Sequence, residues 1–256
     1  MLDTSVRLAC AGEQQRVLAD GVRAAWQRCL EPAAEPDVTL TLSLDPDPDA
    51  NPGPDSRPDL AVADLDLLLH RLSPLVTVRA IDHQAGRLLM LHAAGVADPS
   101  TGRTVALVAP SGTGKTTAAR ALCRTLGYVT DETLAVREDG SIAVYPKPLS
   151  VLETAGDPHK AQLSPDDLDL VPAPPACTLA GVAVLDRDDS ERAWVEDVPL
   201  LTALARLAPE SSYLSRLPKP LHRLAGAVEL AGGLKVVHYA DREQLLDLVD
   251  DMLTAS

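Results

Sequence analysis

The stretch that decides the fold is Ala109-Pro-Ser-Gly-Thr-Gly-Lys115-Thr116, which fits the P-loop pattern with alanine in place of the first glycine. An apolar run, Arg103 to Val108, precedes it, and a segment with helical spacing, Thr116 to Leu126, follows it. In such a loop, backbone N–H groups turn inward around phosphate oxygens at the N-terminus of a helix. The stretch therefore predicts a phosphate-binding loop between a strand and a helix.

The polar positions of this motif have separate expected roles. Lys115 reaches the β- and γ-phosphates of a nucleotide, and the hydroxyl of Thr116 ligates Mg²⁺, so the motif predicts ATP and Mg²⁺ as cofactors. Ala109 can replace the first glycine provided that its φ is negative. The predicted nucleotide-binding residues are Ser111, Gly112, Thr113, Gly114, Lys115, Thr116 and Thr117.

Two carboxylates, Asp131 and Glu132, directly follow the next predicted strand, Tyr128 to Thr130. We expect this strand to lie beside the phosphate loop, where a carboxylate can act as general base toward a substrate hydroxyl. We assign Asp131 as the catalytic base and Glu132, with Thr116, to the metal ion. The sequence alone does not decide which carboxylate has which role, and a solvated strand end is the alternative.

Two further residues are candidates for catalysis. His92 lies in the apolar run Leu88 to Val96, which should form a hairpin with the strand before the loop and so bring the imidazole beside the phosphates. A packed core histidine is equally consistent with that position. Lys147 lies between two prolines that hold its cation on a stiff segment, where it could steady transferred charge or an acidic substrate. A plain surface lysine is the alternative reading.

Taken together, four segments resemble the catalytic domain of HPr kinase/phosphorylase and its stand-alone relatives. They are Leu91-His-Ala-Ala-Gly95, the loop through Thr117, Gly127-Tyr-Val-Thr-Asp-Glu132 and Tyr145-Pro-Lys-Pro-Leu149. The resemblance implies an ATP-dependent kinase that phosphorylates a seryl hydroxyl of a protein or peptide, with Asp131 as base and His92 assisting. Glu132 stands where the family has a second aspartate. The family's HPr-gripping segment and separate N-terminal domain are not found, so the acceptor need not be HPr.

Two other functions remain open at this point: a small-molecule kinase, and a nucleotide-binding regulatory protein without transferase activity. Kinases of the shikimate type pass into a helix after the early aspartate. Here the chain passes into a predicted hairpin, Leu134 to Tyr145, around Asp139-Gly140, which favours a protein or peptide acceptor. The oligomeric state is also open, with a homo-oligomer among the options.

Composition restricts the partners and the location. The 256 residues are 46% apolar but only 2% aromatic, and the net charge is −14. Few aromatic side chains and a strongly acidic surface argue against a nucleic-acid partner. No apolar stretch is long enough for a membrane span, the N-terminus has no signal-peptide pattern, and the four cysteines show no metal-binding spacing. We expect a cytoplasmic protein without a membrane partner.

The fold class predicted from these patterns is α/β. A P-loop-containing mixed sheet with flanking helices, like the HPr kinase catalytic domain, should occupy residues 61–256. A small N-terminal α+β piece should occupy residues 1–60 and end in a disordered Pro/Asp loop at 45–59. A helix at 64–84 should be interrupted at Pro74, and the proline-rich stretch 146–175 should be mostly irregular.

Overall fold

The structure is a computed structural model that describes residues 1–32, 35–45, 57–110, 112–152, 159–188 and 192–254. Of the predicted Pro/Asp loop at 45–59, residues 46–56 lie outside the described residues. The chain packs as two compact units. The first comprises residues 1, 3–83 and 147–167, and the second comprises residues 2, 84–146 and 168–256. The domain bounds of 60 and 61 stay a prediction.

Strands and helices alternate irregularly along the chain. The strands are β1 (Val6–Ala11), β2 (Val38–Leu44), β3 (Leu60–Val62), β4 (Leu89–Leu91), β5 (Ala93–Ala97), β6 (Arg103–Val108), β7 (Gly127–Thr130), β8 (Leu134–Val136), β9 (Ile142–Ala143), β10 (Leu149–Val151), β11 (Ala161–Leu163), β12 (Thr178–Arg187), β13 (Trp194–Val198), β14 (Ser211–Ser212) and β15 (Leu234–Tyr239). The helices are α1 (Gln15–Ala25), α2 (Leu65–His83), α3 (Lys115–Leu122), α4 (Leu200–Leu207), α5 (Pro220–Leu230) and α6 (Leu245–Thr254).

The first unit is built on a parallel three-stranded sheet of order β1-β2-β3. Helix α1 connects β1 to β2, which is the crossover that parallel neighbours require. It buries Leu18, Val22 and Ala25 on one face, at the helical spacing predicted from the sequence. The first strand itself was not predicted, because its apolar residues do not alternate with polar ones.

Helix α2 corrects the prediction of a break at Pro74. It runs without interruption from Leu65 to His83 and contains this proline. Proline has no N–H to donate to the carbonyl four residues earlier, so the local hydrogen bonding is weakened. Burial of Leu68, Leu72 and Val76 on one face supplies the packing that keeps the helix continuous.

The proline-rich stretch 146–175 also contains more regular structure than predicted. Strands β10 and β11 pair antiparallel in the first unit, with Leu149 opposite Leu163. Between them, the side-chain amide of Gln162 donates to the hydroxyl of Ser150 at 2.8 Å. Each strand has only three residues, too few for a periodic pattern to be visible in the sequence.

The second unit contains the predicted mixed sheet with flanking helices. Six strands lie in the order β13-β15-β12-β6-β5-β7; β15, β12 and β6 are parallel neighbours, and β13, β5 and β7 add antiparallel pairs. On β12, Val182 packs in the cluster that includes α4 and α5, whereas Gly181 faces Met252 of α6. Successive residues of a strand point to opposite faces, so helices cover both faces of this sheet.

The second unit also contains a smaller antiparallel sheet of order β14-β4-β8-β9. Its β8–β9 hairpin turns at Asp139-Gly140, as predicted, with Gly140 at a φ of 82°. Within the described residues, every helix is too short or too polar to cross a bilayer.

The hairpin of β5 and β6, predicted from the sequence, is confirmed by antiparallel pairing from Ala93 opposite Val108 to Ala97 opposite Thr104. Its turn is held by Asp98, whose carboxylate accepts hydrogen bonds from the backbone and hydroxyls of Ser100 and Thr101. These bonds favour the ionised form and lower the pKa of Asp98 to about 2. The ionised carboxylate of Asp98 therefore stabilises the turn that joins β5 to β6.

Substituting Gly102, the last residue of this turn, should be strongly destabilising. We expect Gly102→Ala to lower the free energy of unfolding by about 3 kcal/mol, at the upper end for a single substitution. The residue has a φ of 74°, and an added Cβ would overlap the carbonyl oxygen of Ala176. Denaturant unfolding measures the change. Gly232→Ala is the matched control, because Gly232 has a similar φ of 71° in open space and should lose only about 1 kcal/mol. Equal losses in both variants would contradict the predicted overlap.

Candidate functional site

A loop of residues 109–114 joins the end of β6 to the start of α3. Gly112 and Gly114 have φ values of 81° and 99°, a region that favours glycine, and nothing lies within 4 Å of a Cβ added at either position. Ala109 does not have a positive φ, which meets the condition for replacing the first glycine. Ser111 lies outside the described residues. The loop therefore has the backbone freedom and open space that phosphate binding requires.

Lys115 begins α3 and is only 6% exposed. Its ammonium donates to the carbonyl oxygens of Ala109 and Pro110, the latter at 3.1 Å, and lies 2.9 Å from Nε2 of His92. Burial lowers the pKa of Lys115, and the nearby carboxylates of Glu210, Asp131 and Glu132 act in the opposite direction. The cation thus has two carbonyl acceptors and the ring of His92 within hydrogen-bond distance, and three carboxylates act on its charge.

His92 lies immediately before β5, between β4 and β5. Its backbone N–H donates to the carbonyl oxygen of Glu210 at 2.7 Å, and its ring forms a hydrogen bond to the backbone of Glu132. Burial lowers the pKa of His92, and the cation of Lys115 lowers it further. A neutral imidazole has one acceptor nitrogen, so Nε2 can accept the hydrogen bond of the ammonium. His92 is therefore part of the polar cluster around Lys115.

The strand order explains how the loop, the histidine and the carboxylates meet. Strand β5 lies between β6 and β7 and is antiparallel to both, so β6 and β7 run parallel to each other. The ends of β6 and β7 and the beginning of β5 consequently share one edge of the sheet. This edge carries Ala109, Asp131 and His92. The expectation that the strand before Asp131 lies directly beside the loop's strand was wrong, because one strand separates them.

Asp131 is 4% exposed and accepts a hydrogen bond from the hydroxyl of Tyr128 at 3.1 Å. Glu132 is half-buried, and its backbone N–H donates to the hydroxyl of Thr130 at 3.3 Å. Both carboxylates are close enough to influence Lys115. Within the described part of the chain, no group of three or more His, Cys, Asp or Glu residues could hold a metal ion.

The three threonines of the motif differ in exposure. Thr113 donates its hydroxyl hydrogen to the carbonyl oxygen of Pro110 at 2.6 Å, which closes the loop on itself. Thr116 is half-buried and Thr117 is exposed. The assignment of Thr116 to a metal ion, and of all three to nucleotide binding, stays a prediction.

Lys147 belongs to the first unit, where it is 2% exposed. Its ammonium donates to the carbonyl oxygen of Pro148 at 3.1 Å. Its charge lies near Cys29 of the same unit; burial raises the pKa of that thiol to about 12, and Lys147 partly offsets the effect. The alternative of a plain surface lysine is excluded by this burial, whereas the catalytic role stays a prediction.

Two members of the cluster were missed by sequence reasoning. Glu210 follows α4, far along the chain from the loop, and no motif marks it. Tyr128 was recognised as part of a strand but not as the partner of Asp131. A tyrosine three residues before a carboxylate at a strand end is the only local signal that the sequence offers for it.

The burial of His92 predicts a pH effect on stability. Because its pKa in the folded protein lies below the ordinary value of 6.5, the unfolded chain takes up the proton first. The stabilising contribution of neutral His92 is present above pH 6.5, the ordinary pKa. It is lost as the pH falls through the lowered pKa of the folded protein. We therefore expect the melting temperature of the wild type to decline more steeply on acidification than that of His92→Asn. Thermal melts across a pH series measure this. The control is His222→Asn, at an exposed position on α5, which should decline like the wild type. Parallel curves for the wild type and His92→Asn would contradict the prediction.

The fold and the site define a mixed α/β protein with a glycine-bearing loop and a buried lysine at the start of a helix. The sequence matches no protein-family model and no curated protein. Among solved structures it is similar to the HPr(Ser) kinase/phosphatase from Coxiella burnetii, with a TM-score of 0.35 and 11% identity. That match covers 64% of this chain and 93% of the other. A TM-score this low does not establish a shared fold.

Proposed function

We propose that the protein is an ATP-dependent phosphotransferase that moves the γ-phosphoryl group to a hydroxyl, that of a serine, on a protein or peptide. The observation that carries this proposal is the cluster of Lys115, His92, Asp131 and Glu132 beside the glycine-bearing loop. Phosphoryl transfer depends mainly on positioning and on neutralising phosphate charge, and a general base accepts the proton of the hydroxyl. The cluster contains groups for each of these tasks.

Lys115 supplies the charge that binds phosphate oxygens. With ATP bound, its ammonium would exchange its bonds to the carbonyls of Ala109 and Pro110 for bonds to the β- and γ-phosphates. His92, acting as an acceptor through Nε2, restricts where the ammonium can lie. The positive φ values of Gly112 and Gly114 allow the backbone N–H groups of the loop to point toward the phosphates.

The groups present also suit Mg²⁺, which prefers oxygen ligands and is commonly shared between a nucleotide and one or two protein groups. In this proposal the hydroxyl of Thr116 and the carboxylate of Glu132 hold the ion. Bound Mg²⁺ would neutralise the part of the phosphate charge that Lys115 does not neutralise.

Asp131 is the proposed general base. Its carboxylate accepts the proton of the incoming hydroxyl as the new bond between the hydroxyl oxygen and phosphorus forms. The bond from phosphorus to the departing diphosphate oxygen breaks, and that oxygen keeps the electron pair. The hydrogen bond from Tyr128 orients the carboxylate before the acceptor arrives.

A protein or peptide acceptor is preferred over a small molecule because the chain passes from Asp131 into the β8–β9 hairpin and not into a helix. Incubating the purified protein with γ-labelled ATP and cell extract, followed by phosphoproteomics, tests the proposal. Label on seryl side chains that depends on the protein supports it. Label confined to small molecules would mean that the acceptor is a small molecule and not a protein or peptide. ATP binding without ATP consumption, with or without extract, would mean that the protein is a non-catalytic nucleotide binder.

A further inference from the structure

A cavity of about 280 Å³ adjoins the start of α3 in the second unit. One wall is formed by the loop and helix, including Thr117 and Ala118. The other wall lies at the carboxyl ends of β12 and β15 and includes Arg187, Tyr239 and Arg242. Pockets that enclose whole small ligands have volumes of about 300–1,000 Å³, so this cavity suits part of a larger ligand.

The cavity lies on a different side of α3 from the buried ammonium. Lys115 points to His92 and the carboxylates, and it does not line the cavity. Thr117 lines it, and a residue two positions along a helix is rotated by about 200°. Because the lysine of such a loop reaches the β- and γ-phosphates, the side carrying Thr117 corresponds to the α-phosphate end of a nucleotide.

The far wall offers groups that recognise a base and a sugar. The guanidinium of Arg187 is oriented by its Nε, which donates to the carbonyl oxygen of Ala240 at 3.0 Å. Arg242 is exposed and lies 3.1 Å from a carboxylate oxygen of Glu243, which also lines the cavity. Planar guanidinium groups stack on aromatic rings, and carboxylates accept hydrogen bonds from ribose hydroxyls.

Tyr239 completes this wall. A tyrosine hydroxyl is protonated at neutral pH, and burial raises the pKa of Tyr239 further, so the group can donate a hydrogen bond. The rim beside it is fixed by a capping box, in which Asp241 accepts from the backbone of Gln244 and Gln244 accepts from the backbone of Asp241. The wall is therefore held in place before a ligand binds.

We propose that this cavity receives the ribose and base of the nucleotide whose phosphates lie in the loop of residues 109–114. This inference rests on the proposed function and adds a nucleoside subsite to it. Arg242 provides the surface on which the base stacks, Glu243 accepts from the ribose, and Arg187 and Tyr239 donate to the oxygen atoms of the sugar. The subsite makes a nucleoside triphosphate a better ligand than its phosphate chain alone.

The test compares calorimetric binding of ATP with that of inorganic triphosphate, both with Mg²⁺. We expect Arg242→Ala and Arg187→Ala each to weaken ATP binding about 10-fold while leaving triphosphate binding unchanged. Arg206→Ala, at an exposed position on α4 outside the cavity, is the matched control and should change neither. Tyr239→Phe keeps the shape of the wall and should weaken ATP binding alone, by a smaller factor.

Three results would overturn the subsite: equal weakening of both ligands, no weakening of either, or wild-type protein that binds ATP no more tightly than triphosphate. In the first case the arginines bind phosphate. These results leave the phosphate site intact provided that Lys115→Ala weakens triphosphate binding. If Lys115→Ala binds both ligands like the wild type, the proposed function fails instead.

Discussion

Lys115→Ala should weaken ATP binding by about 10- to 100-fold and lower phosphoryl transfer at least as much. Hydrogen bonds from a charged group contribute about 1.5–3 kcal/mol each, and this ammonium is the only cation that the motif aims at the β- and γ-phosphates. The fold should remain intact. Burial disfavours the charged form of Lys115, so removing the charge also removes a cost of folding.

Calorimetry for nucleotide binding and thermal melting for stability, on the same preparation, check this expectation. Lys235→Ala is the matched control: its ammonium pairs with Asp197 at 2.7 Å on the surface of the same unit, so ATP binding should not change. Unchanged ATP binding in Lys115→Ala would remove the assignment of the loop as a phosphate site.

Asp131→Asn should lower phosphoryl transfer by about 10²- to 10⁴-fold while MgATP still binds. The amide keeps the shape of the carboxylate and can still accept the hydrogen bond from Tyr128, but it cannot take up the proton of the acceptor. Transfer is measured as phosphate incorporation, and binding as before. Asp251→Asn, at an exposed position on α6, controls for loss of a surface charge and should transfer normally.

The alternatives predict different patterns for Asp131→Asn. If binding and transfer fall together, Asp131 serves mainly the metal ion, and Glu132→Gln should then show the selective loss of transfer. If neither binding nor transfer changes, the two carboxylates have no catalytic role at the end of their strand. The hypothesis of a non-catalytic nucleotide-binding protein is then favoured.

The loop and its hairpin could be predicted from the sequence because their signals are local. Gly112, Gly114 and Lys115 are fixed by spacing, and the strand Arg103–Val108 before them is bounded as predicted. The companion strand was predicted as one run from Leu88 to Val96, whereas the chain bends at His92 into β4 and β5. Those two strands belong to different sheets, and a pattern of apolar residues does not distinguish them.

The remainder of the site depends on pairings between distant segments. Glu210 meets His92 through a backbone hydrogen bond across more than one hundred residues of sequence, and neither residue's neighbours reveal the other. Likewise, β7 follows β6 along the chain but pairs with β5 in the sheet, and the order of strands along the chain does not reveal that pairing. Arg187 ends β12 and Arg242 begins the short helix that follows β15, and the two come together because these strands are parallel.

Because β5 lies between β6 and β7, the distance between the ends of β6 and β7 does not depend on the side chains that would take part in the proposed reaction. Neighbouring strands lie about 4.8 Å apart, so the ends of β6 and β7 are about 10 Å apart. Main-chain hydrogen bonds set that span, whatever side chains stand at the edge of the sheet. Substitutions at the two strand ends can therefore alter the proposed base or the proposed acceptor preference without changing this distance. Under the proposed function, such a scaffold lets acceptor preference change while the loop with Gly112 and Gly114 stays the same.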